Sequence, residues 1–226
     1  MKKRIIIFGG GGHSKVVIEL LRVLGTWDIA GIIDDHLPEG TQVLDVPVLG
    51  TSELLNTLRK EGINHAVNTL GGINNYQIRL HAFEKLESLH FQFPNLIHPS
   101  AVLEPSVKLD SGIQILAKTY ISSDVEIDFG TLINAGVIVS HDCVIGRCVN
   151  LSPGAMLGGE VHIGNYAQVG MGTTINMQVK IGKEARVGNG ATVKGDVPPR
   201  GRVFAGTIWP YRENLSPDSK TFRKIA

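Results

Sequence analysis

Cysteine is scarce. Only Cys143 and Cys148 occur in 226 residues, too few for a disulfide framework to hold the fold. An excess of one charge is missing as well: 22 basic residues face 21 acidic ones, a formal net charge of +1. That balance gives no electrostatic reason to expect nucleic acid or an anionic membrane surface as a partner. No apolar run nears the ~18 residues that a membrane-spanning helix needs. The run Ile5, Ile6, Ile7, Phe8 follows basic residues, but four glycines end it too early for a secretory signal. These absences predict a cytoplasmic chain with no membrane insertion. What is present, 42% hydrophobic residues over this length, suffices for one large domain or two small ones.

The second half is periodic. Counting in sixes from Ile97 gives Leu103, Leu109, Ile115, Ile121, Ile127, Ile133, Val139, Ile145, Leu151, Leu157, Ile163, Val169, Ile175, Ile181, Val187 and Val193, every one aliphatic. Four residues after each comes a small or β-branched side chain in nearly every hexad, such as Val107, Thr119, Val137 and Ala155. A period of six with one obligatory aliphatic residue fits short parallel strands whose inward side chains stack on their equivalents, each strand followed by a turn. Three hexads close one coil of about 18 residues at the strand spacing of stacked sheets. Glycine recurs just after the aliphatic residue, at Gly146, Gly158, Gly164, Gly170, Gly182 and Gly188, where a sharp backbone bend is expected. We divide the chain into a first domain at 1–95, the repeats at 96–210 and a tail at 211–226.

Before Ile97 strands and helices alternate. A β-run at residues 4–8 leads through Gly9, Gly10, Gly11, Gly12, His13 and Ser14 into an amphipathic helix that carries Val17, Leu20, Leu21 and Leu24 and ends near Gly25. A strand at 29–33 ends in Asp34 and Asp35. A helix is predicted from Ser52 as N-cap, with Leu54, Leu55 and Leu58 on one face, then a strand at 66–70 and a helix at 75–86. The pattern predicts a small parallel sheet of the Rossmann-like kind, a single βαβαβ half. About 95 residues are too few for the paired halves that hold a dinucleotide, and Ser14 replaces the third glycine of that fingerprint. A mononucleotide or its sugar conjugate fits better, with its phosphate at the helix N-terminus.

Chemistry on the repeats needs a proton acceptor. His98, His141 and His162 are the histidines there, and His141 stands at a turn with an acid beside it, in Ser140-His141-Asp142-Cys143-Val144-Ile145-Gly146. An acidic neighbour stabilises an imidazolium. Cys143 falls on the inward small-residue position and reads as packing rather than as a metal ligand.

The hexads resemble the hexapeptide-repeat acyltransferases, whose fold is a left-handed parallel β-helix. The stretch around His141, together with Gly9 to His13 and Asp34-Asp35, is similar to the bacterial nucleotide-sugar N-acetyltransferases and the related sialic-acid O-acetyltransferases. That resemblance implies a homotrimer and acetyl-CoA as co-substrate, without a metal. It implies His141 as general base supported by Asp142, and Gly11, Gly12, His13, Asp34, Asp35 and Gly71 as holders of a nucleotide-linked 4-amino-4,6-dideoxy sugar. Asn150, Gly159, Gly170, Met171, Asn189 and Gly190 would line the coenzyme track. Asn150 stands where related enzymes carry a second histidine, and an amide N–H can still donate to a thioester carbonyl. Gly159 lies one coil from His141, where a missing side chain would let the thioester approach the backbone. The pair of histidines five apart that zinc-binding relatives of this fold use is not found between Ile97 and Pro198. Two other readings stay open, O-acetylation of a sugar hydroxyl and a non-catalytic nucleotide-sugar-binding scaffold.

Overall fold

The computed structural model describes residues 2–71 and 75–211, so most of the tail lies outside the described residues. The first domain is built from β1 (Lys3–Phe8), α1 (Gly12–Leu24), β2 (Trp27–Ile33), β3 (Gln42–Val43), β4 (Val46–Gly50), α2 (Leu55–Lys60), β5 (His65–Asn68) and α3 (Tyr76–Ser88). Its sheet runs in the order β3-β4-β2-β1-β5, with β1 parallel to β2 on one side and β5 on the other. The central strand is apolar without alternation because helices cover both of its faces. Ile5 and Ile7 pack with Val17, Ile18 and Leu21 of α1, while Ile6 and Phe8 pack with Leu55, Leu58, Ala82 and Leu86 of α2 and α3. Helix α1 ends as predicted: Gly25 takes the left-handed conformation (φ 65°) and its N–H donates to the Leu21 carbonyl.

One local expectation gives way, and one element is unannounced. Ser52 is not the N-cap of α2; it opens a 3₁₀ turn, Ser52–Leu54, that Thr51 precedes, and α2 itself begins at Leu55. The sequence also carries no hairpin signal at 42–50, yet β3 and β4 pair antiparallel with Val43 opposite Val46. The two loop residues, Leu44 and Asp45, both have positive φ, as a tight hairpin turn requires. Neither is the glycine or asparagine that would announce such a turn.

The repeats form a parallel β-helix of triangular section. One face stacks strands Leu96–Ile97, Gln114–Ile115, Leu132–Ile133, Asn150–Leu151, Gln168–Val169, Arg186–Val187 and Arg202–Val203. The second stacks Val102–Leu103, Tyr120–Ile121, Ile138–Val139, Met156–Leu157, Thr174–Ile175, Thr192–Val193 and Ile208–Trp209, and the third stacks Lys108–Leu109, Glu126–Ile127, Val144–Ile145, His162–Ile163 and Lys180–Ile181. Each aliphatic residue of the sixfold series is the second residue of its strand and points inward. The small residues four positions later, among them Val137, Cys143, Ala155 and Ala167, fill the same core.

The glycines after the aliphatic residues serve a purpose other than the one expected. The left-handed turn residue of the hexad is the fourth, held by Asp124, Asp142, Glu160 or Tyr166 as well as by Gly136 and Gly154. Gly158, Gly164 and Gly170 do not have positive φ. A Cβ on them would lie 2.6, 2.5 and 2.6 Å from the backbone nitrogens of Met177, Lys183 and Asn189 in the next coil. Close stacking of coils, not a bend, excludes a side chain there.

The prism continues past the aliphatic series. After Val193 one connection shortens by two residues, so that Val197 bridges to Ile181 and Arg202–Val203 and Ile208–Trp209 pair with the strands 16 positions earlier. The first domain sits on the lower coils of the first face, where Leu96 and Leu116 join the α1 core. Phe83 of α3 meets Phe93 and Phe129 edge-on, with Cys148 beside them.

Ile145→Asp places an unpaired carboxylate in this stack and costs several kcal/mol. Circular dichroism and size-exclusion chromatography should show loss of the folded prism, while Asp142→Asn, at an exposed turn, should leave it intact.

Candidate active site

The hexad register puts His141 on the corner between the second and third faces. Its Nδ1 lies 2.7 Å from Oδ2 of Asp142, and both side chains are about half exposed, 53% and 57%. Asp142 takes the left-handed turn conformation (φ 59°), and its N–H donates to the Ser123 carbonyl one coil below at 3.0 Å. With Nδ1–H donating to the carboxylate, the neutral ring carries its lone pair on Nε2. Gly159 does lie against His141, but its missing side chain makes room for the imidazole itself. A Cβ there would stand 2.6 Å from Cε1 and 2.7 Å from Nε2 of the ring. The missing side chain at Gly159 thus lets the imidazole pack against the next coil.

Cys143 points inward, donates to the Gly158 carbonyl at 3.2 Å, and burial pushes its thiol up to about 11. It is a packing residue.

A concavity of about 630 Å³ runs along the first face from the first domain toward the far end of the prism. His13 and Gly71 lie at its base; Asn150, Gln168, Gly170, Met171, Arg186, Asn189 and Phe204 line it higher up. Asn150 donates from Nδ2 to Ser152 Oγ at 3.1 Å and accepts from Asn134 at 3.3 Å. Asn189 accepts the Met171 N–H at 2.9 Å, an approach that Gly170 permits. Gly190 is a left-handed turn residue (φ 65°) and does not line this groove. The structure thus brings Asn150, Gly170, Met171 and Asn189 together with His13 and Gly71. It does not bring them to His141 and Gly159, which occupy another corner of the same chain.

The glycine loop divides its labour. A Cβ on Gly9 would meet Leu70 at 2.6 Å and one on Gly10 would meet Leu37 at 2.4 Å, whereas Gly11 and Gly12 face open space at the start of α1. Ser14, in place of the third glycine, is buried and donates its hydroxyl to the Gly11 carbonyl at 2.6 Å. Asp34 was expected to hold ligand, but both its oxygens are engaged locally: Oδ2 accepts the Gly10 N–H at 2.6 Å, and Oδ1 accepts the N–H groups of His36 and Leu37. Burial pushes its carboxyl up, but these donors outweigh burial and hold it below the usual value. Asp35 accepts the Ser52 N–H at 2.7 Å through Oδ1.

Three residues of this region carry no signal in the sequence. Gln114 is buried and its Oε1 lies 2.7 Å from His13 Nε2. Arg79, also buried, donates to the carbonyls of Asn68, Leu70 and Gly130, and burial pulls its guanidinium down to about 10. Asn68 ties to α3 by donating to the Arg79 carbonyl at 2.8 Å. Each looks like an ordinary polar residue in its strand or helix until the two domains meet.

Residues 4–86 match the family described as the PglD N-terminal domain. The chain superposes on perosamine N-acetyltransferase from Caulobacter crescentus, solved as a histidine-to-asparagine variant in complex with CoA and GDP-perosamine, with 36% identity and a TM-score of 0.83 over 89% of this chain and 93% of that one. The chain belongs to the family of bacterial nucleotide-sugar N-acetyltransferases. The acetyltransferase domain of PglB from Neisseria gonorrhoeae FA1090, in complex with acetyl coenzyme A, is 33% identical with a TM-score of 0.83 over 92% and 98% of the two chains. UDP-N-acetylbacillosamine N-acetyltransferase from Bacillus subtilis is 32% identical over 118 residues, 51% of this chain and 52% of that protein, so the matched stretch spans about half of this curated relative. The family's fold, a Rossmann-like domain followed by a left-handed parallel β-helix, is the fold of this chain. No described helix is long and apolar enough to cross a membrane.

Asp34→Ala removes an acceptor for three backbone N–H groups and is expected to cost about 1–3 kcal/mol, seen as a lower Tm. Because the folded-state pKa of Asp34 is depressed, this stabilisation is present above the unfolded carboxylate range near pH 4 and is lost as pH falls below it. The difference in Tm between wild type and variant should therefore shrink in acid.

Proposed function

We propose that this protein transfers the acetyl group of acetyl-CoA to the amino group of a nucleotide-linked 4-amino-4,6-dideoxy sugar, with His141 as the general base. The observation that carries this reading is the His141–Asp142 pair, held at 2.7 Å on an exposed corner with the ring packed against Gly159. Its Nε2 lone pair is free to take a proton. The neutral amine attacks the thioester carbonyl, a C–N bond forms, and the proton passes to Nε2 while Asp142 stabilises the imidazolium. Collapse of the tetrahedral oxyanion breaks the C–S bond, and the imidazolium returns its proton to the departing thiolate. Asn150 supplies an amide donor for the carbonyl oxygen, and the N–H groups at Gly11 and Gly12, at the positive end of α1, suit the nucleotide phosphates.

A single chain holds His141 on a corner and the Asn150 groove along the first face, so the reading calls for a second copy to complete the site. The second face supports a homotrimer. Its outward ladder runs Val102, Tyr120, Ile138, Met156, Thr174, Thr192 and Ile208; the four apolar residues from Val102 to Met156 are contiguous and exposed, a patch that single chains seldom leave uncovered. His141 stands at one edge of this face and Met171 and Asn189 at the other. If three copies turn this face to a common axis, the His141 corner of one meets the Met171 corner of the next.

The test is thiol release from acetyl-CoA with a panel of nucleotide-linked 4-amino sugars. Release with a sialic acid instead would reassign the acceptor to a hydroxyl, and no release with either would leave a binding scaffold. His141→Ala should lower turnover by about 10² to 10⁴ without loss of the fold. Near-normal turnover in that variant would remove His141 from the chemistry. Ile138→Asp combined with Met156→Asp should give monomers by light scattering and an inactive enzyme, whereas an unchanged oligomer would place the interface elsewhere.

A further inference from the structure

His13 meets the groove at the point where the first domain joins the prism, and its surroundings determine which of its nitrogens carries the proton. Gln114 is buried on the first face and makes two contacts. One is to the Asn68 carbonyl at 2.8 Å, an atom that can only accept, so the Gln114 nitrogen must face it. The amide oxygen is thereby turned to His13 Nε2, 2.7 Å away, and it can only accept in turn. The proton of a neutral His13 therefore sits on Nε2. The same Asn68 carbonyl also receives Arg79 at 3.0 Å, and Arg79 is anchored across the domain junction on Gly130 at 3.2 Å. This chain of bonds leaves the Gln114 amide no alternative orientation.

The other ring nitrogen is the one offered to ligand. Among the described residues Nδ1 has no protein partner, and no buried side-chain nitrogen or oxygen lacks one. Nδ1 is therefore accessible, and His13 lines the groove. Burial pulls His13 down to about 4; the hydrogen bond with Gln114 opposes that shift and the Arg79 charge adds to it, so the ring is uncharged at neutral pH and Nδ1 presents a lone pair.

We propose that Gln114 is a positioning residue that locks His13 in the Nε2–H tautomer, so that Nδ1 accepts a hydrogen bond from a hydroxyl or amine of the acceptor substrate and turns away its phosphates. This rests on the reading of the groove as part of the acceptor site. Phosphate oxygens are acceptors and would meet a lone pair at Nδ1. The open N–H groups of Gly11 and Gly12 are the complementary place for them, and the loop would thus sort the two ends of a sugar nucleotide.

Two-bond ¹H–¹⁵N correlation spectra of protein labelled with ¹⁵N-histidine, with His13 assigned through His13→Gln, read the tautomer without any turnover. At neutral pH the wild type should show a pyridine-like Nδ1 and a pyrrole-like Nε2. A nucleotide-linked amino sugar should shift Nδ1, and inorganic pyrophosphate should not. A pyrrole-like Nδ1, an imidazolium, or an equal shift with pyrophosphate would overturn the proposal even in an active enzyme. Conversely, absence of acetyl transfer would leave the tautomer result standing and refute only the reading of the reaction. Gln114→Leu should mix the tautomers and raise the acceptor KM about tenfold, the worth of one hydrogen bond, with acetyl-CoA KM unchanged. Gln114→Glu, which keeps the size of the side chain, should favour the imidazolium, turn Nδ1 into a donor and raise the acceptor KM likewise. An unchanged acceptor KM in either folded variant would deny Gln114 this role.

Discussion

Everything on the prism is referred to the stacking of one inward aliphatic side chain upon its equivalent 18 residues later. Val139 pairs with Ile121 below and Leu157 above, both by strand register, and the same holds along each face until the connection shortens after Val193. Burial of that column drives the coil to close, and the parallel ladder then sets the height of every outward residue. Because spacing is constant, a residue's place around the prism follows from its position within the hexad. His141 is on a corner because Val139 is in the core.

That rigidity has a consequence for the site. Close approach of successive coils forces glycine where a Cβ would strike the next backbone, as at Gly158 and Gly170, and leaves room for one large outward ring where the next coil offers a glycine at the same corner. Gly159 above His141 is such a place. The imidazole is then held by its own carboxylate neighbour and by the coil above it, without any help from the first domain. A side chain held in this way on a stacked corner needs little further ordering.

The domain junction obeys different physics. It is sealed by aromatic contact among Phe83, Phe93 and Phe129 and by a buried cation, Arg79, satisfied by backbone carbonyls rather than by an acid. A buried charge is tolerated when its hydrogen bonds are complete. The same group binds Asn68, which in turn receives Gln114, so the joint that fixes the two domains also sets the proton on His13. The packing of the joint and the tautomer of His13 depend on the same side chains.

Much of this was legible beforehand. Seventeen aliphatic residues in step, from Ile97 to Val193, determined the strands, their inward faces and the outward placement of His141 and Asp142, because a fixed period leaves no freedom in a stacked coil. The apolar runs and Gly25 likewise determined β1 and α1. The hairpin at Leu44 and Asp45 was not legible, since leucine disfavours positive φ and no glycine follows Asp45 to mark the turn. Nor was the local duty of Asp34, whose carboxylate is claimed by backbone donors that only the folded loop brings near. Tertiary structure alone decided that Gln114, Asn68, Arg79 and His13 would form one network. Periodic order is written residue by residue along the chain, whereas contacts between two domains depend on how separately formed surfaces meet, and no local pattern encodes that.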